Sequence, residues 1–441
     1  VIISIAAALL LSRGGARGAA DVSFFAQLGR YPGALGTVAV LMTLFALVPG
    51  MPFIPFMAGA LLLGAAAYWV AKRAGQPEPK AGDASEIPAE KRLGDVLDFD
   101  DIHIEFAPDL VSMVLDPATG LDARVDSMRN YIASAFGLIL PEIRMTDDAT
   151  LPSGTYRVRL QGIECVRNQL KPDHVLVLLS EGQQTPTGQD VREPVYGAPA
   201  RWILPDDQEA AALAGLTVVS PTEVLATHIL EIMKSNLARL LTLRSLRRLL
   251  DEFTNLTDTT RAEANRRLLD ELMPDKVPPD LLHAVLRLLL EERVSIRNLP
   301  LILEAISEGR GLGSPESICE HVRQRLGFQL VAETKRADGS IPLLQLAPEW
   351  EKIFVTYQVD GERGQRDVAL PPEQFNHLAN GLAEKFSRVA ETGVSPALVT
   401  SSQRRRFLRT VVSARGISMS VLSYEEIGSE ARPSMLGLIP A

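Results

Sequence analysis

Between Arg30 and Lys72 the chain carries no charged side chain. The stretch reads YPGALGTVAVLMTLFALVPG and then MPFIPFMAGALLLGAAAYWV, from Tyr31 to Val70. Each half approaches the ~20 apolar residues a helix needs to cross a bilayer. The halves meet at Pro49-Gly50-Met51-Pro52. Proline lacks a backbone donor and crowds the preceding turn, so no helix runs through this quartet. Such a stretch folds as a transmembrane helical hairpin or as a hairpin buried in a large soluble core. Two adjacent uncharged runs are rare in soluble domains, so a transmembrane hairpin is expected over 31–72.

Val1 opens inside a shorter apolar run, VIISIAAALLLS. It is too short to span alone, and no basic segment precedes it as in a signal peptide. The expectation is that residues 1–12 are the remnant of an earlier transmembrane helix, with further membrane segments upstream. Arg13, Arg17 and Arg30 precede the hairpin, and Lys72, Arg73 and Lys80 follow it. The positive-inside rule puts both flanks in the cytoplasm, and a two-helix hairpin returns to its starting side.

Residues 73–97 are rich in Pro, Ala, Gly and charge without an apolar period, which reads as a linker. The net charge is −9 although the membrane-proximal part is basic, which disfavours general nucleic-acid binding. The two cysteines, Cys165 and Cys319, match no metal-ligand spacing and suit a reducing compartment.

Beyond the linker the periods alternate. Residues 102–106, 143–145, 156–160 and 173–180 read as strands, while 121–136 has apolar residues at helical spacing and Gly137 as a stop. Ser220-Pro221-Thr222-Glu223 reads as a helix start, with a capping serine, a proline at the first position and a glutamate three residues on. From Thr242 to about Arg325 the pattern is helical throughout. Residues 326–346 read as strand-like alternation, 371–389 and 403–414 as helices, 397–400 and 417–422 as strands, and the end of the chain as a tail. Strand–helix–strand order argues for small α/β or α+β units.

Chemistry-bearing patterns are sparse. There is no phosphate-binding glycine loop and no His-Glu-x-x-His, and Gly311-Leu312-Gly313 follows no strand. His228 and His283 read as structural helix residues. The acid pairs Asp147-Asp148, Asp206-Asp207 and Glu291-Glu292 read as solvated surface, because nothing places a nucleophile beside them. Arg404-Arg405-Arg406 reads as salt bridging or subunit contact. In EPVYGAPARWI, residues 193–203, Tyr196 and Trp202 sit in a loop-like context that suits either contact with a partner or plugging of a seam between small domains.

Four separated segments, LVPGMPFIPF, GLTVVSPTEVLATHILEIM, VSIRNLPLILEAISE and VLSYEEI, resemble in order and spacing the FlhA-type export gate proteins of bacterial flagellar type III secretion, the FHIPEP family. The resemblance covers essentially the whole chain. It implies a transmembrane hairpin plus a multi-subdomain α+β cytoplasmic region. A first α/β subdomain would take 98–171 and 221–240, a ferredoxin-like one 172–220, a helical third 241–320 and an α/β fourth 321–430, with 431–441 as C-terminal tail. It further implies a multi-pass protein of the bacterial inner membrane, with the large domain in the cytoplasm. The same resemblance implies a homo-oligomer, a nonameric ring, that receives export chaperone–substrate complexes. Other export-apparatus membrane proteins and the associated ATPase complex would be partners.

In flagellar relatives a chaperone-docking dimple uses an acid and an aromatic of an Asp-Pro-Ala-Phe-Gly segment, and a threonine before a histidine on the capped helix. The matching positions are Glu193, Tyr196 and Thr227. Glu stands for Asp and Tyr for Phe, so the site gains a hydroxyl and a longer acid, with Glu193 expected on its rim. No cofactor, metal or catalytic residue is expected, and the reading is of a docking protein, not an enzyme. Alternatives are an injectisome export gate, a membrane-anchored receptor with a ligand-sensing domain and a membrane-tethered enzyme.

Overall fold

The computed structural model describes residues 43, 44, 46, 54, 56–62, 64, 65, 100–116, 120–179, 186–360, 366–428 and 431–441. The chain divides into two units, Val1–Leu97 and Asp98–Ala441. In the first, the described residues of the expected hairpin are all helical. The rest of that hairpin, the 1–12 segment and the 73–97 linker lie outside the described residues. Among the described residues no helix is long and apolar enough to cross a membrane.

The second unit opens with a four-stranded sheet. β1 (Ile102–Phe106) runs parallel to β2 (Ile143–Asp147) and antiparallel to β3 (Thr155–Leu160), and β3 pairs with β4 (Ile163–Gln169), giving the order β2-β1-β3-β4. A short helix, α1 (Val111–Val114), and then α2 (Leu121–Phe136) connect β1 to β2. Leu121, Val125, Met128 and Ile132 line the buried stripe of α2, and Gly137 closes it in the left-handed region at φ 78°. The spacing in the sequence predicts this helix and its stop.

A second sheet is antiparallel throughout: β5 (Val175–Leu178), β6 (Gln189–Arg192), β7 (Pro199–Ile203) and β8 (Val218–Val219), in the order β6-β7-β5-β8. Helix α3 (Gln208–Leu213) lies between β7 and β8. A ferredoxin-like unit has two helices; among the described residues of 172–220 there is one α-helix.

Helix α4 (Pro221–Ser235) starts as the sequence predicts. The Ser220 hydroxyl accepts from the Glu223 amide, the Glu223 carboxylate accepts from the Ser220 amide, and Pro221 occupies the first turn. A helical layer follows: α5 (Leu237–Leu240), α6 (Leu243–Thr254), α7 (Thr259–Leu272), α8 (Pro279–Glu291), α9 (Leu299–Glu308) and α10 (Pro315–Arg325). Leu282, Val285, Leu286, Leu289 and Leu290 bury one side of α8, the stripe expected of a core-facing helix.

Residues 326–346 depart from the strand-like expectation. Gly327–Thr334 forms a helix, α11, and only Ser340–Leu346 is a strand, β9. Leu326 and Leu330 are both buried, a four-residue spacing that suits a helix as well as a strand. Gly327 lies so close to the Glu426 carbonyl that a Cβ would stand 2.4 Å from it, which fixes the entry to the helix. After α12 (Glu349–Thr356) and the hairpin β10 (Gln358–Asp360) to β11 (Arg366–Val368) come α13 (Pro372–Ala390), β12 (Ala397–Thr400), α14 (Ser402–Ala414) and β13 (Val421–Ser423). The strand expected over 417–422 thus begins only at Val421.

Residues 431–441 are not a tail. Arg432–Ile439 forms β14, parallel to β9, with an irregularity at Met435/Gly437. The third sheet, β13-β12-β9-β14, is parallel throughout. Pro433 is tolerated because β14 is an edge strand, where a missing donor costs no ladder bond.

The helical layer and this last sheet meet over buried charge. Arg405 of α14 is fully buried and donates to Glu292 at 2.5 Å and to Glu320 at 2.7 Å. Arg323 reaches Glu292 at 3.2 Å and Glu426 at 2.7 Å. The reading of Glu291-Glu292 as solvated surface is corrected for Glu292. Its burial favours the neutral acid, but Arg323 and Arg405 outweigh that and hold the carboxyl below the usual carboxylate range. Arg404 bonds Glu351 at 2.8 Å and Arg406 faces out, so salt bridging holds for two of the three arginines.

Candidate docking site on the β6–β7 turn and helix α4

The turn between β6 and β7 carries the segment singled out in the sequence. The Glu193 amide donates to Ala198 at 2.8 Å, and the Gly197 amide donates back to the Glu193 carbonyl at 2.9 Å. Gly197 sits at φ 70°, which needs glycine. Pro194 offers no donor, and the next two amides are taken by the Glu193 carboxylate: Val195 at 2.8 Å and Tyr196 at 2.7 Å. Glu193 is therefore buried and spent on the turn itself. The expectation that it rims the dimple is corrected: its length lets the acid fold back under the turn, where it accepts hydrogen bonds.

With its amide held from below, Tyr196 projects outward and is 74% exposed. Its hydroxyl donates to Glu231 Oε1 at 3.0 Å. Glu231 also accepts from Lys234 Nζ at 2.5 Å. Thr227 is exposed one turn before Glu231 on α4, so Thr227, Glu231 and Lys234 share one stripe. The structure thus brings Tyr196 to the Thr227 face through Glu231. Burial favours a neutral Glu231, but the Lys234 and Tyr196 bonds outweigh it and keep its carboxyl below the usual range. Partial burial, and then the bond to Glu231, raise the Tyr196 phenol above 10.

Beneath this face His228 is buried, with Nδ1 2.5 Å from the Tyr156 hydroxyl on β3. Burial lowers the imidazole from 6.5, and the Glu193 charge partly opposes it. His228 is the structural helix residue the sequence suggests. His283 likewise bonds the Leu241 carbonyl at 2.7 Å. Trp202 lies in β7, buried in the core shared with the first sheet, so of the two aromatics it plugs the seam and Tyr196 is the exposed one. A cleft of about 510 Å³ adjoins the turn, lined by Asp109, Lys171, His174, Arg192 and Pro194 among others. Among the described residues no group of three or more His, Cys, Asp and Glu side chains is placed to hold a metal ion.

Sequence reasoning passed over Glu231 and Lys234, although their spacing of four and seven from Thr227 places them on its face. It also passed over Arg293, whose Nη2 donates to Ser235 at 3.4 Å at the end of α4.

The arrangement offers an exposed, anchored aromatic and a threonine hydroxyl beside a paired acid and cation. The FHIPEP family model matches residues 1–432. The chain belongs to the FHIPEP family. It is 34% identical over 449 residues to the flagellar biosynthesis protein FlhA of Caulobacter vibrioides, an alignment covering 100% of this chain and 63% of that protein. The Bacillus subtilis FlhA is 25% identical over 457 residues, covering 100% of this chain and 65% of its own length. The FHIPEP chain therefore spans somewhat less than two thirds of these relatives.

Among solved structures, the Chlamydia pneumoniae CdsV protein matches with a TM-score of 0.63 at 22% identity, over 78% of this chain and 98% of its own. The nonameric EPEC SctV-C matches at 0.61 and 17% identity, over 77% and 98%. These likenesses establish the multi-subdomain α+β fold of the second unit.

Proposed function

We propose that this FHIPEP chain is part of an export gate of the flagellar type III secretion apparatus, and that it docks export chaperone–substrate complexes on the face made by Tyr196 and Thr227. The observation that carries this is the state of Tyr196: a large aromatic, mostly in solvent, yet held by its amide and its hydroxyl. An exposed aromatic fixed in advance loses little conformational freedom on binding, which is the character of an interface anchor. Glu193 supports the turn from below. The flagellar reading is favoured over an injectisome gate by the 34% identity to a flagellar biosynthesis protein.

In this reading residues 31–72 form the last transmembrane hairpin of a multi-pass inner-membrane protein, and 73–97 tether a cytoplasmic region. Its parts are 98–171 with 221–240, the four-stranded antiparallel sheet with one helix over 172–220, the helical 241–320 and the α/β 321–430, whose sheet takes in β14. The region assembles as a nonameric ring, the state described for EPEC SctV-C, and meets other components of the apparatus, as CdsV meets CdsO. It acts by docking and not by catalysis. Titrating a purified flagellar export chaperone–substrate complex into the full chain tests the reading: saturable binding lost in Tyr196→Asp supports it, and binding untouched by that change refutes it.

A further inference from the structure

Helix α8 ends in a way its sequence does not announce. The Arg293 amide donates to the Leu290 carbonyl at 3.0 Å and the Val294 amide to the Leu289 carbonyl at 2.9 Å. This is the paired bonding of a Schellman stop, whose closing residue is left-handed and usually glycine. Here that residue is Arg293, at φ 60°. Only Gln161 is the other non-glycine residue with positive φ among the described residues. An arginine there carries a backbone cost that a glycine would remove. Strain of this kind persists only where the surrounding structure over-determines it, and such residues cluster at ligand-binding sites.

The Arg293 side chain is exposed and leans on the end of α4, donating to Ser235 Oγ at 3.4 Å. Ser235 follows Lys234 and lies one turn beyond Glu231, the acceptor of the Tyr196 hydroxyl. Among the described residues no carboxylate ion-pairs with Arg293, and the nearby acid, Glu231, is already paired with Lys234. Glu193 is turned under the turn. Glu231 lies within electrostatic reach of Arg293 as well as of Lys234, so the face beside Tyr196 sets two cations against one carboxylate, and the planar fork of Arg293 matches a further carboxylate in two bonds.

We propose that Arg293 is a second subsite of the docking face, taking a carboxylate that the partner carries next to its apolar anchor; the inference rests on the docking function proposed above. Tyr196 receives the anchor, Arg293 the acid, and the Glu231–Lys234 pair between them holds the ring in place. The occupant is an acidic docking segment of an export chaperone–substrate complex.

The test uses Arg293→Gly and Arg293→Lys in the full chain, titrated calorimetrically with a purified flagellar export chaperone–substrate complex at low and high NaCl. Arg293→Gly relieves the backbone, so its Tm rises, while its affinity falls about tenfold at low salt, as for a lost charge pair at an interface. High salt screens the pair and narrows that gap. Arg293→Lys keeps the charge and loses the fork, so its affinity falls less than that of Arg293→Gly while its salt dependence stays. A lowered Tm in Arg293→Gly assigns the residue to the fold and overturns the proposal. So does wild-type affinity in Arg293→Gly while Tyr196→Asp has lost binding, an outcome that leaves the docking function standing. If the wild-type chain itself does not bind the complex, the docking function fails and this inference with it.

Discussion

The Tyr196 hydroxyl donates to the Glu231 carboxylate at 3.0 Å, joining the β6–β7 turn to helix α4 across 35 residues of sequence. A phenol that is otherwise in solvent is thereby oriented before any partner arrives. The bond also leaves a signature in the phenol itself. Tyr196 titrates above 10, through partial burial first and the bond to Glu231 second. Glu231→Gln removes the negative acceptor, so the phenol moves down toward 10 without reaching it. Carbon-13 labelling of the tyrosine ring, followed by NMR through alkaline pH, reads this directly; an unmoved Tyr196 titration argues against the bond.

Glu193 behaves as a structural residue. Its carboxylate accepts two backbone amides inside the turn. Glu193→Ala removes both acceptors from a half-buried turn, where water replaces part of the bonding, and costs about 0.5–1.5 kcal/mol. Urea denaturation is expected to show that loss. A rim residue would change binding and leave the midpoint alone.

Arg405 stands between Glu292 and Glu320, fully buried. Arg405→Ala leaves buried carboxylates without their partner and is expected to cost about 3–5 kcal/mol. Arg388→Ala, which removes the exposed pair with Glu384, changes stability by less than about 1 kcal/mol. Comparable midpoints for the two variants would show that the buried network contributes nothing special to joining α8, α10 and α14.

His228 gives the fold a pH dependence of known sign. Burial depresses its folded-state pKa below the unfolded value near 6.5, with Glu193 opposing. Under acid conditions the unfolded chain binds a proton that the folded chain resists. The contribution is therefore present above 6.5 and is lost as pH falls from there through the folded pKa. His228→Gln flattens this part of the profile. Denaturation midpoints at pH 7.5 and 5.5 that shift equally in both proteins would contradict it.

The parts of the fold legible in the sequence are those governed by local rules. The Ser220–Glu223 cap, the stripe of α2 with Gly137 behind it and the leucine spacing of the helical layer all act within a few residues. What was not legible depends on distant partners. Glu292 reads as half of a surface acid pair until Arg405, 113 residues on, arrives beside it. Residues 432–439, with a proline and a glycine, resemble a tail until β9 offers an edge. Gly327 opens a helix because the Glu426 backbone presses on it.

At the site the division is similar. Tyr196 and Thr227 follow from the resemblance and lie on one face, while the inward turn of Glu193 follows from the two amides beyond Pro194. Arg293 was hidden because a left-handed helix end is usually announced by glycine.

The most direct measurement is the affinity of a purified flagellar export chaperone–substrate complex for the full chain and for Tyr196→Asp, with circular dichroism to follow the fold. Replacing an anchored interface aromatic by a charge costs at least about 2 kcal/mol, or roughly thirtyfold in Kd. The account predicts that loss with an unchanged circular dichroism spectrum. Equal affinities in a folded variant would contradict it.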